Sequence, residues 1–278
     1  MTKARAIKQT KSVLYQAFAI FLGCVIILPI IYALLISFMP ANQILRRPPT
    51  FIPKTWILDN YRMAISATTL GRFMINSLII AGVSSIIRVI TSAMAAYAFV
   101  FFNFKFKNII FMIFLGTIMV PSDIVLVTNY RTVANLGLIN TYTGMMIIFF
   151  CSATNIFMMR QYFMTFSTSI KEASTIDGCG NFRFFIQILL PLSMPVMTTI
   201  FISSFISTWN TYLWPMLVTN QNNMRTVQVG VTMMNFPDGV VYGPIMAASI
   251  LVLLPTLLIF VIFQKKIVGG IMGGAVKE

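Results

Sequence analysis

Residues 12–45 read SVLYQAFAIFLGCVIILPIIYALLISFMPANQIL and contain no charged side chain. The run is longer than the apolar core of a signal peptide, which has about 7–15 residues. It is also long enough to cross a bilayer as a helix. We therefore predict a first transmembrane helix over residues 13–38, with a kink at Pro29.

The rest of the 278-residue chain has the same character, with 58% hydrophobic residues, 9% charged residues and a mean hydropathy of +0.87. Soluble domains carry about 25% charged residues, so this composition excludes a cytosolic enzyme and a disordered chain. The predicted fold is an all-α, polytopic transmembrane helical bundle with six spans. The other five are residues 73–99, 109–121 with a continuation past Asp123 left open, 142–159, 186–209 and 240–263.

The basic residues, which give a formal net charge of +14, cluster at the edges of these apolar runs. A basic segment directly before the first span favours a cytoplasmic N-terminus, and six spans then place both termini inside. This topology divides the chain into an N-terminal tail (1–12), the first helix (13–38), an external loop (39–72), a core (73–263) with a cytoplasmic loop at 160–195, and a C-terminal tail (264–278).

The cytoplasmic loop reads RQYFMTFSTSIKEASTIDGCGNFRFFIQILLPLSMP over residues 160–195. We predict two short helices around a turn. Ser167 or Ser169 caps the first, and Ser169 has capping-box spacing to Glu172. Gly178 provides a left-handed turn, and Asn181 caps the second helix.

The first of these helices has an apolar face, because Ile170, Ala173 and Ile176 recur at helical spacing. The second helix is expected to kink near Pro191. An apolar ridge that the membrane does not bury requires a partner, and a groove on another protein is a common one.

The loop also carries a spaced pattern of particular residues: Glu172-Ala173-Ser174, then Gly178, then Ile188-Leu189-Leu190-Pro191. This pattern resembles the EAA loop of ABC importer permeases, with Ser174 in place of the usual second alanine. Asp177 directly before the glycine resembles the variant that is common in carbohydrate permeases. The resemblance implies a type I ABC importer permease fold in a prokaryotic plasma membrane, with a sugar or oligosaccharide as the solute.

Other stretches extend this resemblance to the shorter, second permease of the maltose type, although Thr211 stands where the family often has glutamate. They are Asn60-Tyr61-Arg62, Asn76-Ser77-Leu78, residues 95–99, residues 136–141, Trp209-Asn210 to Trp214-Pro215 and residues 273–277.

The resemblance implies a set of partners: a second permease subunit, two ABC ATPase subunits and an extracytoplasmic solute-binding protein. It implies that the ATPases bind ATP and Mg, with no cofactor on this chain. It also implies ATPase coupling through one group of residues in the loop. These are Glu172, Ala173, Ser174, Asp177, Gly178, Ile188, Leu190 and Pro191.

Candidates for the translocation pathway are Arg88, Trp209, Asn210 and Tyr212. A charge in mid-span is costly and is a functional candidate by default, but a structural contact of Arg88 with backbone carbonyls is an equal alternative. Aromatic and amide groups suit a sugar path and equally suit an interfacial belt. The belt is favoured for Trp214.

The sequence offers few residues suited to catalysis, metal binding, ATP binding or ion-coupled transport. There is no histidine, the three cysteines are scattered and the six acids form no evident pair, so we predict neither catalysis nor a metal site. The closest approach to a Walker A loop, near residues 269–275, has Ala275 at the lysine position. An ion-coupled secondary transporter is the main alternative, and it lacks a mid-span acid.

Overall fold

A computed structural model of the protein describes residues 2–66, 69–234 and 241–272. Within these ranges the regular secondary structure is helical throughout, which confirms the all-α prediction. The α-helices are α1 (Thr2–Ser37), α2 (Ala41–Ile44), α3 (Asp59–Ser66), α4 (Leu70–Phe101), α5 (Lys107–Ile118), α6 (Leu126–Asn135), α7 (Tyr142–Met146), α8 (Ala153–Phe163), α9 (Thr168–Ile176), α10 (Asn181–Arg183), α11 (Leu190–Leu192), α12 (Met194–Trp209), α13 (Leu213–Val218), α14 (Val227–Thr232) and α15 (Tyr242–Met272). Short 3₁₀ segments cover Ile147–Phe149 and Asn222–Met224, and a π-helix covers Phe184–Leu189.

The chain divides into two compact units, one of Met1–Leu70 with Met233–Leu254 and one of Gly71–Thr232 with Pro255–Glu278. In the first unit, Asn60 at the start of α3 fastens the chain that follows α1. Its Nδ2 donates to the carbonyl of Ser37 at 3.0 Å and to that of Met39 at 2.8 Å. A Cβ at Gly243 would lie only 2.5 Å from Oδ1 of Asn60, so glycine permits the close approach of α15.

Three described helices are long and apolar enough to cross a membrane: Val13–Ser37, Leu70–Phe101 and Tyr242–Gln264. Two bent helix pairs raise the number to five if each pair is one span. A multi-pass helical protein is therefore confirmed, whereas the count of six stays a prediction. The sixth predicted span ends at 263, but α15 continues through Lys265 and Lys266 to Met272.

Both bent pairs coincide with predicted spans. Tyr142–Phe149 and Ala153–Phe163 meet at 50°, and Asn181–Leu192 and Met194–Trp209 meet at 75°. The second bend lies at Ser193 between two prolines, close to the kink predicted near Pro191. Proline lacks an N–H and clashes with the preceding turn, so a helix that contains two of them bends readily.

The third predicted span is shorter than expected. Its helix, α5, ends at Ile118, and the chain is non-helical until Leu126. The continuation past Asp123 as one helix is therefore wrong. Pro121 explains the break, because proline removes a backbone donor and disfavours helical backbone at the residue before it.

The main apolar cluster of the second unit joins α4, α8, the 160–195 loop and α12. Its buried members are Val89, Ala93, Ala96, Tyr97, Met159, Phe163, Phe184, Leu189 and Ile200. The loop is therefore packed on the helical bundle along one side and exposed along the other.

Candidate functional site

The helix α9 begins at a serine cap. The Oγ of Ser167 accepts a hydrogen bond from the backbone N–H of Ser169 at 3.2 Å, and Ser167 has the extended backbone typical of a cap. Ser169 lies inside the helix, so the predicted capping box with Glu172 is wrong. Glu172 is exposed and is not needed to start the helix.

The other end of α9 is closed by Gly178, which has a φ of +74°. The N–H of Cys179 donates to the carbonyl of Ser174 at 2.8 Å, and the N–H of Gly178 donates to that of Thr175 at 3.0 Å. These two bonds define a Schellman motif, which favours glycine because other residues rarely adopt positive φ. The predicted left-handed turn is confirmed.

The predicted apolar face of α9 is divided between two environments. Ile170 packs against the main apolar cluster, and the neighbouring Ser174 is only 4% exposed. Ala173 is exposed, and Ile176 is 86% exposed. One side of α9 therefore anchors the helix, and the other presents small and apolar side chains to an outside partner.

Beyond the turn, Asn181 does not cap the second helix as predicted. It is the first residue of α10, where Gly180 occupies the cap position without a side-chain hydrogen bond. The Asn181 Oδ1 instead accepts from Nζ of Lys171 at 2.8 Å, and its carbonyl accepts from the Tyr97 hydroxyl at 2.9 Å. The Asn181 side chain therefore binds Lys171 instead of capping the helix.

Lys171 lies next to Glu172 on α9 and is half-buried. Burial lowers the pKa of its ammonium below the usual range. Four aromatic rings surround this ammonium at similar distances. Sequence reasoning did not single out Lys171, because the rings come from separate segments.

The residues of the EAA-like pattern fall into two groups. The first group is exposed and consists of Glu172, Ala173, Asp177, Gly178 and Pro191. Packed residues are Ser174, Ile188 and Leu190, the last two against the main apolar cluster. The first group offers a surface around the turn, and the second fastens that surface to the bundle.

Phe182 is a surface residue that sequence reasoning missed. It follows the turn and is 75% exposed. Phe182 and Ile176 are thus two large exposed apolar side chains in the same segment as the exposed acids Glu172 and Asp177. The only signal in the sequence was an aromatic residue directly after the Gly178-Cys179-Gly180 turn.

Arg88 is buried in α4, with 8% exposure. Its Nε donates to the carbonyl of Phe149 at 2.5 Å, and its guanidinium lies 5.6 Å from the centre of the Phe149 ring. Three residues further on, the Thr91 hydroxyl lies 2.6 Å from the carbonyl of Phe150. Both carbonyls lie at the 50° bend, and this geometry favours the structural alternative for Arg88.

The other pathway candidates lie at the end of α12. Trp209 is 2% exposed and stacks on Phe205, and its indole N–H has no hydrogen-bond partner among the described residues. Asn210 is exposed and its Oδ1 accepts from Gln228 at 3.3 Å. Tyr212 is half-buried.

Trp214 does not belong to an interfacial belt, so that prediction is wrong. It is 2% exposed within an apolar cluster, and its Nε1 donates to the carbonyl of Met145 at 3.2 Å. A buried partner for the indole N–H removes the reason to face the interface.

Two stretches that carry the family resemblance meet at a second loop, residues 210–239, which lies between the fifth and sixth predicted spans and which the six-span topology predicts to be external. Nδ2 of Asn76 donates to the carbonyls of Asn223 and Arg225, both at 2.9 Å, and Oγ of Ser77 accepts from the N–H of Val227 at 2.8 Å. The Oδ1 of Asn140, which has a φ of +59°, accepts from the N–H groups of residues 220 and 221. These side chains hold the loop in place.

Within the described ranges, no three His, Cys, Asp or Glu side chains come together as a metal site. The tail at residues 273–277 and the loop residues 235–240 lie outside the described residues. The predictions for Ala275 and for the C-terminal tail therefore stay untested.

Comparison with known proteins identifies the class. The model of the family "binding-protein-dependent transport system inner membrane component" matches residues 88–271. The sn-glycerol-3-phosphate transport system permease protein UgpE of Brucella abortus (strain 2308) is 35% identical over 261 residues, covering 90% of this chain and 93% of that protein. The UgpE protein of Rhizobium meliloti (strain 1021) is 33% identical over 257 residues, with 89% and 91% coverage.

A solved structure has the same fold. It is a crystal structure of a bacterial ABC transporter involved in the import of the acidic polysaccharide alginate, and the similarity has a TM-score of 0.79 at 22% identity. The match covers 95% of this chain and 98% of the other.

The fold and the loop define a multi-pass permease of an ABC importer. The chain belongs to the family of binding-protein-dependent transport system inner membrane components. It is therefore a transport protein that works with a solute-binding protein, a different class from an ion-coupled secondary transporter.

Proposed function

We propose that the chain is one of two permease subunits of a prokaryotic plasma-membrane importer for sugars or oligosaccharides. Both of its termini lie in the cytoplasm. The energy comes from two ATPase subunits, which bind the ATP and Mg, and an extracytoplasmic binding protein delivers the solute. The permease itself carries out no catalysis.

One observation carries this proposal: the exposed surface around the α9 turn, formed by Glu172, Ala173, Ile176, Asp177 and Phe182. Its two large apolar side chains are 86% and 75% exposed. We name these five residues the coupling surface. Its rigidity comes from the Schellman motif and from the packed residues beneath it, so a partner that grips it moves a defined body rather than a loose loop.

The chemistry of the coupling surface defines the partner groove. Apolar side chains at its centre favour an apolar pocket, because a helix that lies in a groove is read through such anchors. The acids Glu172 and Asp177 favour a basic rim, since complementary charge fixes register and raises the association rate. A groove of this kind on one of the two ATPase subunits receives α9.

The proposal is tested by cross-linking in native membranes. We start from a variant that lacks the native cysteines Cys24, Cys151 and Cys179 and introduce Ile176→Cys. A bifunctional maleimide should join this position to the co-expressed ATPase. The matched control is Asn220→Cys, an exposed position on the predicted external loop, which should give no ATPase adduct.

The same two variants test the topology. A membrane-impermeant maleimide added to intact cells, or to spheroplasts where an outer membrane is present, should label residue 220 and not residue 176. Labelling of residue 176 from outside, or an ATPase adduct at residue 220, contradicts the proposed orientation. An absent adduct at residue 176 in an assembled, transporting complex contradicts the coupling role.

The translocation pathway is proposed to pass Trp209, Asn210 and Tyr212, and also Arg88, in addition to the structural contact that Arg88 makes with the Phe149 carbonyl. Two groups support it: the indole N–H of Trp209, which finds no acceptor within the described part of the chain, and the exposed amide of Asn210. Both suit the hydroxyl groups of a sugar. Replacing Asn210 by Ala should raise the solute concentration needed for half-maximal uptake, with little effect on assembly.

A second candidate solute class is an anionic sugar or polyol derivative. The UgpE relatives are named for sn-glycerol-3-phosphate, a phosphate ester. Among the described residues, Arg88 is the one charged residue that is buried. No carboxylate of the described residues lies within salt-bridge distance of it. Uptake of sn-glycerol-3-phosphate and of a neutral oligosaccharide by the complete system distinguishes the classes. In the anionic case Arg88→Gln should impair the first solute far more than Arg88→Lys does.

A further inference from the structure

The ammonium of Lys171 lies in a cage of four aromatic rings. The distances from Nζ to the ring centres are 5.6 Å for Tyr97, 5.4 Å for Phe101, 5.6 Å for Phe102 and 5.4 Å for Phe184. A cation within about 6 Å of a ring is attracted by the negative face of the ring, and the attraction grows as water is excluded.

The cage connects three segments of the second unit. Lys171 belongs to α9, Tyr97 and Phe101 belong to the end of α4 with Phe102 directly after it, and Phe184 belongs to the π-helix. The rings also pack on one another, with centre-to-centre distances of 5.3 Å for Tyr97–Phe101 and 5.5 Å for Phe101–Phe184. The cage is therefore a preformed cluster and not a set of separate contacts.

Hydrogen bonds close the cage from the side of the turn. Nζ of Lys171 donates to Oδ1 of Asn181, and the hydroxyl of Tyr97 donates to the carbonyl of the same residue. The ion pair found among the described residues joins Arg62 and Asp59 and does not involve Lys171. Aromatic rings and the Asn181 amide therefore hold the Lys171 ammonium in place of a carboxylate. The end of α4 adds to this attraction, because a helix C-terminus favours cations.

The other contacts of α4 reach the outer side of the bundle. The helix has 32 residues and extends for about 48 Å at 1.5 Å per residue. Arg88 and Thr91 bind the bend of the fourth span in its middle, and Asn76 and Ser77 hold the loop of residues 223–227 near its start. A displacement of α4 at the Phe101 end is thus passed to the loop at the other end.

We propose that Lys171 is a positioning residue that fastens α9 to the Phe101 end of α4, so that a movement of the coupling surface reaches the external loop through α4. This inference rests on the proposed docking of α9 on an ATPase. It assigns to Lys171 a role in transmission that is separate from the docking itself, since its ammonium faces the bundle and not the coupling surface.

The test uses Lys171→Met in the complete complex of permeases, ATPases and binding protein. Methionine keeps an unbranched stem that packs well on aromatic rings and removes the charge. Association with the ATPase should persist, measured by the cross-link from residue 176. Stimulation of ATP hydrolysis by the loaded binding protein should fall by about tenfold, a size typical of coupling between sites, and solute uptake should fall with it.

The control is Lys105→Met, which makes the same chemical change at an exposed lysine that lies over one ring, that of Phe106, at 5.2 Å. It should leave both activities near the parent value. Lys171→Arg, which keeps the positive charge, should retain much of the stimulation of ATP hydrolysis that Lys171→Met loses. A direct reading of transmission is the ATP-dependent change in maleimide labelling at Asn220→Cys, which Lys171→Met should abolish.

The outcomes separate the two proposals. A missing cross-link in the parent complex overturns the proposed docking. A normal cross-link in the parent that is lost in Lys171→Met overturns the transmission role, because Lys171 would then shape the docking surface. Normal docking together with normal stimulation in Lys171→Met also overturns the transmission role.

Discussion

At the scale of single residues, two glycines in the 160–195 loop have the same steric room but different backbone conformations. Gly178 has a φ of +74° and Gly180 a φ of −67°. A Cβ added to either would meet no atom within 4 Å. Backbone conformation therefore distinguishes their requirement for glycine, and steric room does not.

This contrast predicts the effect of alanine at each position. Gly178→Ala should destabilise the α9 turn by about 1 kcal/mol, because L residues are disfavoured in the left-handed region, whereas Gly180→Ala should be nearly neutral. Thermal unfolding of the purified complex and retention of the ATPase subunits on the permease measure both effects. Equal behaviour of the two variants would contradict the Schellman account.

A larger change at the same residue addresses function directly. Gly178→Trp should uncouple or disassemble the complex, since a bulky side chain would stand in the middle of the coupling surface. ATPase association and solute uptake report the effect. Undiminished values of both would remove Gly178 from the coupling mechanism.

At the scale of elements, the bends in the spans leave carbonyl groups that must find donors. In lipid each unsatisfied backbone group is expensive. The bend after Phe149 is served by α4, through Nε of Arg88 and the hydroxyl of Thr91. A basic side chain in mid-span is thus explained by the break in a neighbouring span.

The hydroxyl of Thr91 gives a clean test of this explanation. Thr91→Val keeps the shape but leaves the Phe150 carbonyl without that donor, and should cost about 1–3 kcal/mol. The control is Thr117→Val, because the Thr117 hydroxyl donates to a carbonyl within its own helix α5. Unfolding of the detergent-solubilised protein should show a lower midpoint for the first variant alone.

At the scale of the whole molecule, the second unit is organised along α4. Its contacts run from the loop of residues 223–227, through the bend between Phe149 and Ala153, to the aromatic cage at the 160–195 loop. A single long helix is stiff along its axis, so α4 offers a direct mechanical route from the loop of residues 223–227 to the aromatic cage around Lys171.

The outer end of this route can be released separately. Asn76→Ala removes the donors to two loop carbonyls and the acceptor of the Tyr142 hydroxyl. The loop should become more mobile, and trypsin should cleave after Arg225 several times faster. The exposed Asn220, replaced by Ala, is the control. Cleavage at the parent rate in both variants would show that Asn76 does not hold the loop.

The sequence by itself determined the membrane class, the positions of the long apolar helices, the left-handed turn at Gly178 and the bend near Pro191. Each depends on local chemistry: a charge-free run, a glycine after a helix, two prolines in a span. The family pattern over residues 172–191 was equally local, and it led to the correct class of protein.

Only the tertiary structure decided which side chains those elements would use. By sequence, Asn181 could cap a helix, but in the folded chain its side chain accepts from Lys171 and its carbonyl accepts from Tyr97. By sequence, Trp214 suited an interface, but in the folded chain its indole N–H donates to the buried carbonyl of Met145. The aromatic cage joins residues up to 87 positions apart, from Tyr97 to Phe184. No spacing rule predicts such a meeting, because it depends on how separate helices pack and not on the periodicity of any one of them.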